Sequence, residues 1–149
     1  MHSHMYFYAE SARPDWSAPP PSDDAAKARV RAIADALLEA VPALREWRRE
    51  DKDDDGTGVG MYLSPLDWIA VYGDHVHWDI MYRGDRELAE YDTMATLRTV
   101  AAVLEQVAGF DFFENGCQGL NERGDIEEMP AVLRGEHEAR WLRDKGYID

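Results

Sequence analysis

The stretch from Trp68 to Tyr82, WIAVYGDHVHWDIMY, limits what this chain can become more than any other. Two runs rich in β-branched and aromatic residues flank Gly73-Asp74, a turn-forming pair, which is the signature of a β-hairpin. Successive strand residues face opposite sides of a sheet. Val76, Trp78, Ile80 and Tyr82 therefore share one face of the second arm, and His75, His77, Asp79 and Met81 share the other. The first set is apolar enough for a core. The second is polar enough to meet water or a partner.

The hairpin's apolar face needs a cover, and the flanking sequence offers two helices. After a capping Ser22 or Asp23, the residues Val30, Ile33, Ala34, Leu37, Leu38 and Val41 recur at the spacing of one helical face. Pro42 either stops this helix or opens a further turn carrying Leu44 and Trp47. Tyr91, Met94, Leu97, Val100, Ala101, Leu104, Val107 and Ala108 build a second amphipathic helix. Asp92 or Thr93 is its N-cap, and Gly109 its closing glycine.

Three further segments read as strands: Met5–Glu10, Val59–Leu63 and Phe110–Phe113, the last closed by Asn115-Gly116. Between the first strand and the first helix, SARPDWSAPPPSDD is too rich in proline for a central strand. It reads as a loop laid over the surface and pinned by Trp16. From Gln118 the chain is charged, with a weak helical face of Met129, Val132, Leu133 and Trp141. Residues 1–4 read equally as native sequence or as a tag remnant; they are left out of the fold reasoning, and no metal is placed there.

This order predicts one α+β domain over 1–149: a two-layer sandwich, with a mainly antiparallel sheet of about five strands and two helices on one face, plus a C-terminal extension over 118–149. The arrangement is close to the split βαβ, ferredoxin-like pattern. His75, His77 and Asp79 then lie on the open sheet face, unless the tail covers it.

The net charge of −14 bears on partners. Residues 51–96 hold three Lys/Arg against eleven Asp/Glu, net −8, and residues 97–149 hold six against eleven, net −5. Such a field repels nucleic acid and anionic membranes and attracts basic proteins. No run approaches the roughly 18 apolar residues of a membrane span. The start lacks the pattern of a secretory signal, and the single Cys117 fits a reducing cytoplasm.

Two constellations could bind metal. Asp51, Asp53, Asp55 and Gly56 open like a calcium loop, D-x-D-x-D-G, but Tyr62 stands where the bidentate glutamate belongs and Gly58 at a normally apolar position. A solvated acidic loop is the expected reading. His75 and His77 stand about 7 Å apart on one strand face, close enough to share a zinc or iron, with Asp79 too far along to join. A third ligand would come from a neighbouring strand or from the tail, such as His137. Solvated polar residues on an antiparallel sheet are the simpler expectation. No catalytic motif for nucleophile, phosphate or zinc chemistry occurs, so neither an enzyme nor a cofactor is expected.

Several segments together resemble the small acidic immunity proteins of bacterial polymorphic-toxin and contact-dependent inhibition systems. They are the MYFYAE strand before a proline-rich loop, the WIAVYGDHVHWDIMY hairpin, the helix TLRTVAAVLEQVAGF and the ending GFDFFENGCQG. Where some of those proteins carry Asp-Pro-Gln after the last strand, this chain has Glu114-Asn115-Gly116-Cys117-Gln118. The resemblance implies a cytoplasmic, non-enzymatic inhibitor that occludes a basic toxin or nuclease. Asp51, Asp53, Asp54 and Asp55, with Tyr72, Asp74, His75, His77 and Asp79, are the expected contact residues, since carboxylates beside aromatics supply both charge pairing and anchors. A metal- or small-ligand-binding domain using His75 and His77 or the Asp51–Asp55 loop is the alternative, and a small unmarked enzyme a third.

Overall fold

A computed structural model describes residues 2–46, 55–64, 67–81 and 93–116. Strand β1 (His2–Tyr8) leads through a short 3-10 turn at Glu10–Ala12 into helix α1 (Asp24–Ala40). Strands β2 (Arg45–Glu46), β3 (Gly58–Ser64), β4 (Asp67–Tyr72) and β5 (Val76–Met81) follow. Helix α2 (Thr93–Ala108) and strand β6 (Phe112–Gly116) complete the described chain. All six strands form one sheet in the order β2-β3-β4-β5-β1-β6, every pairing antiparallel. Strands β4, β5, β1 and β6 with the two helices reproduce the split βαβ pattern, and β3 and β2 extend its outer edge. The fold is α+β, as the order of elements predicts.

The helices form where their periodicity places them. Asp23 caps α1, its carboxylate accepting from the Ala26 amide at 2.7 Å. Ala26, Val30, Ile33, Ala34 and Leu37 are buried along one face. The helix ends at Ala40, and the chain after Pro42 turns into the two-residue edge strand β2 rather than a further helical turn. Leu44 is buried within that turn. Gly109 takes the positive φ of 69° expected of a terminating glycine. Its amide donates to the Glu105 carbonyl at 3.0 Å, seating the buried Phe110 against the core.

One apolar cluster joins both helices to one sheet face. Met5 and Phe7 come from β1, Met61 from β3, Ile69 and Val71 from β4, and Val76 and Trp78 from β5. They meet Val30, Ile33, Leu37, Leu97, Val100 and Leu104 of the helices. The predicted alternation of the hairpin holds: Val76 and Trp78 are fully buried. Its turn closes through the Tyr72 amide donating to the His75 carbonyl at 2.9 Å. Gly73 is needed here for proximity. A Cβ on it would stand 3.0 Å from Ala26 Cβ and 3.2 Å from Pro21 Cγ, so its absence lets α1 close on the turn.

The strands differ from expectation: β2 is an edge strand that the sequence does not announce, β3 is one residue longer at each end than Val59–Leu63, and β6 and β1 are shifted. Phe110 and Asp111 precede β6, which instead takes in Asn115 and Gly116, because pairing with β1 continues to His4↔Gly116. Strand β1 begins at His2, so residues 1–4, left out of the fold reasoning, include part of a paired strand. The extension over 118–149 lies outside the described residues.

Candidate functional site

The sheet face opposite the helices carries His4, Tyr6 and Tyr8 from β1, Tyr62 from β3, Trp68 and Tyr72 from β4, and His77 and Asp79 from β5. Each is the alternate of a buried core residue. The proline-rich loop crosses part of this face, as the sequence predicts, and Trp16 does pin it. The indole stands 5.0 Å from the Tyr6 ring, 5.8 Å from Tyr8 and 4.9 Å from His75, the last edge-on at 88°. Asp15 holds the turn beside it, its Oδ1 accepting from the Ser17 amide at 3.0 Å and from the Ser17 hydroxyl at 2.6 Å. Between the loop and the sheet lies a cleft of about 250 Å³, lined by Trp16, Tyr72, Asp74, His75 and His77 among others.

His75 and His77 share a face but have separate surroundings. His75 donates from Nδ1 to Asp74 Oδ1 at 2.7 Å and stacks on Tyr72, with ring centres 4.8 Å apart. His77 stacks on Tyr6 at 4.6 Å and 12°, and the Trp68 ring meets it edge-on at 5.0 Å. These two contacts aim His77 Nε2 at His4 Nδ1, 2.9 Å away. His4 Nδ1 in turn lies 3.7 Å from Asp79 Oδ2. Donor atoms of His4, His77 and Asp79 all fall within 4.8 Å of one another. The expectation that His75 and His77 share an ion with Asp79 too far along to join them is therefore corrected: His75 does not belong to the group, and Asp79 belongs to it with His77. Their spacing along β5 is bridged from the neighbouring strand, where His4 pairs with Asp79.

The expected contact residues fare differently. Asp51, Asp53, Asp54, His137 and Cys117 lie outside the described residues. Asp55 is exposed, and its carboxylate accepts from the Thr57 amide at 2.9 Å in a tight turn. Tyr72, Asp74 and His75 line the cleft and are partly covered. Asp79 is only 4% exposed, so it offers no docking surface. The exposed positions on this face are aromatic instead. Tyr62 and Trp68, directly opposite one another on β3 and β4, are 44% and 38% exposed, and Trp16 is 44% exposed. Neither Tyr62 nor Trp68 stands out in the sequence, because each sits among apolar residues that are buried. His4 could have been found from the parity of His4, Tyr6 and Tyr8, which alternate with Met5 and Phe7.

Burial holds His77 well below its ordinary value, at about 4, with the His4 and His75 rings pushing the same way and Asp79 opposing. Above about pH 6.5 the ring is neutral in folded and unfolded chains alike. As the pH falls from there towards 4, the unfolded chain takes up a proton that the folded ring refuses, so stability falls. Partial exposure of the ring reduces the expected loss to about 1–2 kcal/mol. Urea unfolding at pH 7.5 and pH 4.5 checks this. His77→Gln should lose less than the parent protein over that interval, and an equal loss in both would contradict it.

Among the described residues no helix is long and apolar enough to cross a membrane. Comparison with protein-family models, with curated proteins and with solved structures finds no match for this chain.

Proposed function

We propose that this chain is an acidic protein-binding module of the immunity or inhibitor type, acting in the cytoplasm and docking a basic protein on the open face of its sheet. The observation that carries this reading is the exposed Tyr62–Trp68 pair on the sheet face opposite α1 and α2, which no helix among the described residues covers. Exposed large aromatics next to one another are the side chains that most often anchor interfaces. An aromatic sheet face can also stack nucleobases. A net charge of −14 opposes that use, since phosphate would be repelled, and it favours a cationic protein instead. The cleft under Trp16 is the basis of the second reading, a small-ligand-binding domain. At about 250 Å³ it falls below the roughly 300–1,000 Å³ of most ligand pockets, so the broad face is preferred.

Affinity capture from the native host tests the proposal, with the chain and its Tyr62→Ala/Trp68→Ala variant as parallel baits. A basic protein held by the first and lost by the second supports it, as does rescue of growth when that protein is toxic on expression. Capture of the same proteins by both baits would remove the face from consideration. Once a partner is known, converting Asp53, Asp54 and Asp55 to Asn should slow association several-fold at low salt and flatten its salt dependence, with little change in dissociation. Stopped-flow association over a salt series gives the answer, and unchanged rates at low salt would exclude the loop.

A further inference from the structure

We propose that His4, His77 and Asp79 form a binding site for one divalent transition-metal ion, of the zinc class, on the open face of the sheet. Three donors from two neighbouring strands converge there, with their ligating atoms within 4.8 Å of each other. Two imidazoles and a carboxylate select zinc, iron, cobalt or nickel over magnesium or calcium, which take all-oxygen sets. The 2.9 Å separation of His4 Nδ1 and His77 Nε2 matches the edge of an octahedral site with bonds near 2.1 Å, about 3.0 Å. In a tetrahedral site with the same bonds that edge would open to about 3.4 Å. The carboxylate is the more distant member, 3.7 Å from His4, so ligation requires it to move closer.

The surroundings prepare the site. Tyr6 stacked on His77 and Trp68 edge-on to it fix the imidazole in the orientation that ligation needs. Asp79 is already buried, so much of the cost of desolvating its carboxylate is met in the fold, and a cation beside it compensates the charge. His4 keeps a side-chain exposure of 22%, which leaves the ion a path from solvent. Three protein donors fall short of a full shell, so the ion retains at least one position for water or for a side chain of a docked protein. The same two histidines can instead share a hydrogen bond. The two arrangements use the same atoms, and adding metal separates them.

The test uses the full chain, stripped with chelator and then titrated with Zn²⁺ by calorimetry and native mass spectrometry, and with Co²⁺ by visible absorption. One equivalent of Zn²⁺ bound with micromolar or tighter affinity is expected, with Co²⁺ bands that Zn²⁺ abolishes. His77→Ala and the milder His4→Gln should each weaken binding at least tenfold. His75→Gln, outside the cluster, should leave it unchanged, and circular dichroism verifies that each variant is folded. Absence of Zn²⁺ binding to the parent chain would overturn the proposal. So would binding that survives in the folded His4→Gln/His77→Ala double variant, since the ion would then sit elsewhere.

Discussion

Trp78→Ala is expected to cost about 3–5 kcal/mol of unfolding free energy, as truncation of a fully buried aromatic does when its cavity only partly collapses. A domain of this kind has some 5–15 kcal/mol in total, so the variant would stand near the edge of folding. The neighbouring strand supplies the control. Trp68 pairs with Asp79, one residue beyond Trp78, but points to the opposite face and is 38% exposed. Trp68→Ala should cost less than about 1 kcal/mol, the usual range for surface substitutions. Guanidinium unfolding followed by circular dichroism compares the two. Equal costs would mean that the helices do not cover the face assigned to them.

At an interface the ranking should reverse. Removal of Tyr62 or Trp68 is expected to weaken binding of the proposed basic partner by about 2 kcal/mol each, roughly thirtyfold in Kd, while barely changing the fold. The effect should lie mainly in faster dissociation, because packed aromatics govern residence time and charge governs encounter. Surface plasmon resonance with the captured partner measures both rates. Dissociation unaltered in the Tyr62→Ala/Trp68→Ala double variant would place the contact on another surface. The two experiments together separate residues that hold the domain together from residues that it presents.

The local periodicities were legible because each is decided within a few turns or a few residues. Val30, Ile33, Ala34 and Leu37 declare a helix face by spacing alone, and Val76 and Trp78 declare a strand face by parity. Gly109 was legible for the same reason, its role being set by the turn it ends. The site was not. His4 meets Asp79 only through the register of two strands separated by about half of the chain, and no local pattern encodes that register. Residues 1–4 read equally as native sequence or as a tag remnant, so nothing local marks His4 as part of a strand. The exposure of Tyr62 and Trp68 was hidden by a related ambiguity: an aromatic in a half-buried strand carries the same letter whichever way it points. Asp79 shows the converse. A charged letter suggested a solvent-facing group, whereas the neighbouring strand and its side chains cover it.

The placement of β1 also governs when the molecule can be finished. Its two neighbours, β5 and β6, both come from much later in the chain, so the first described strand waits for the last described one before its hydrogen bonds are complete. Contacts so distant in sequence slow folding, because a long loop must close before any of them contributes. During translation the β4–β5 hairpin and α1 can assemble early, while the strand carrying Met5 and Phe7 stays unpaired on one side until Phe112–Gly116 has left the ribosome. Nascent chains arrested short of that point should therefore be bound by chaperones that recognise exposed apolar strands.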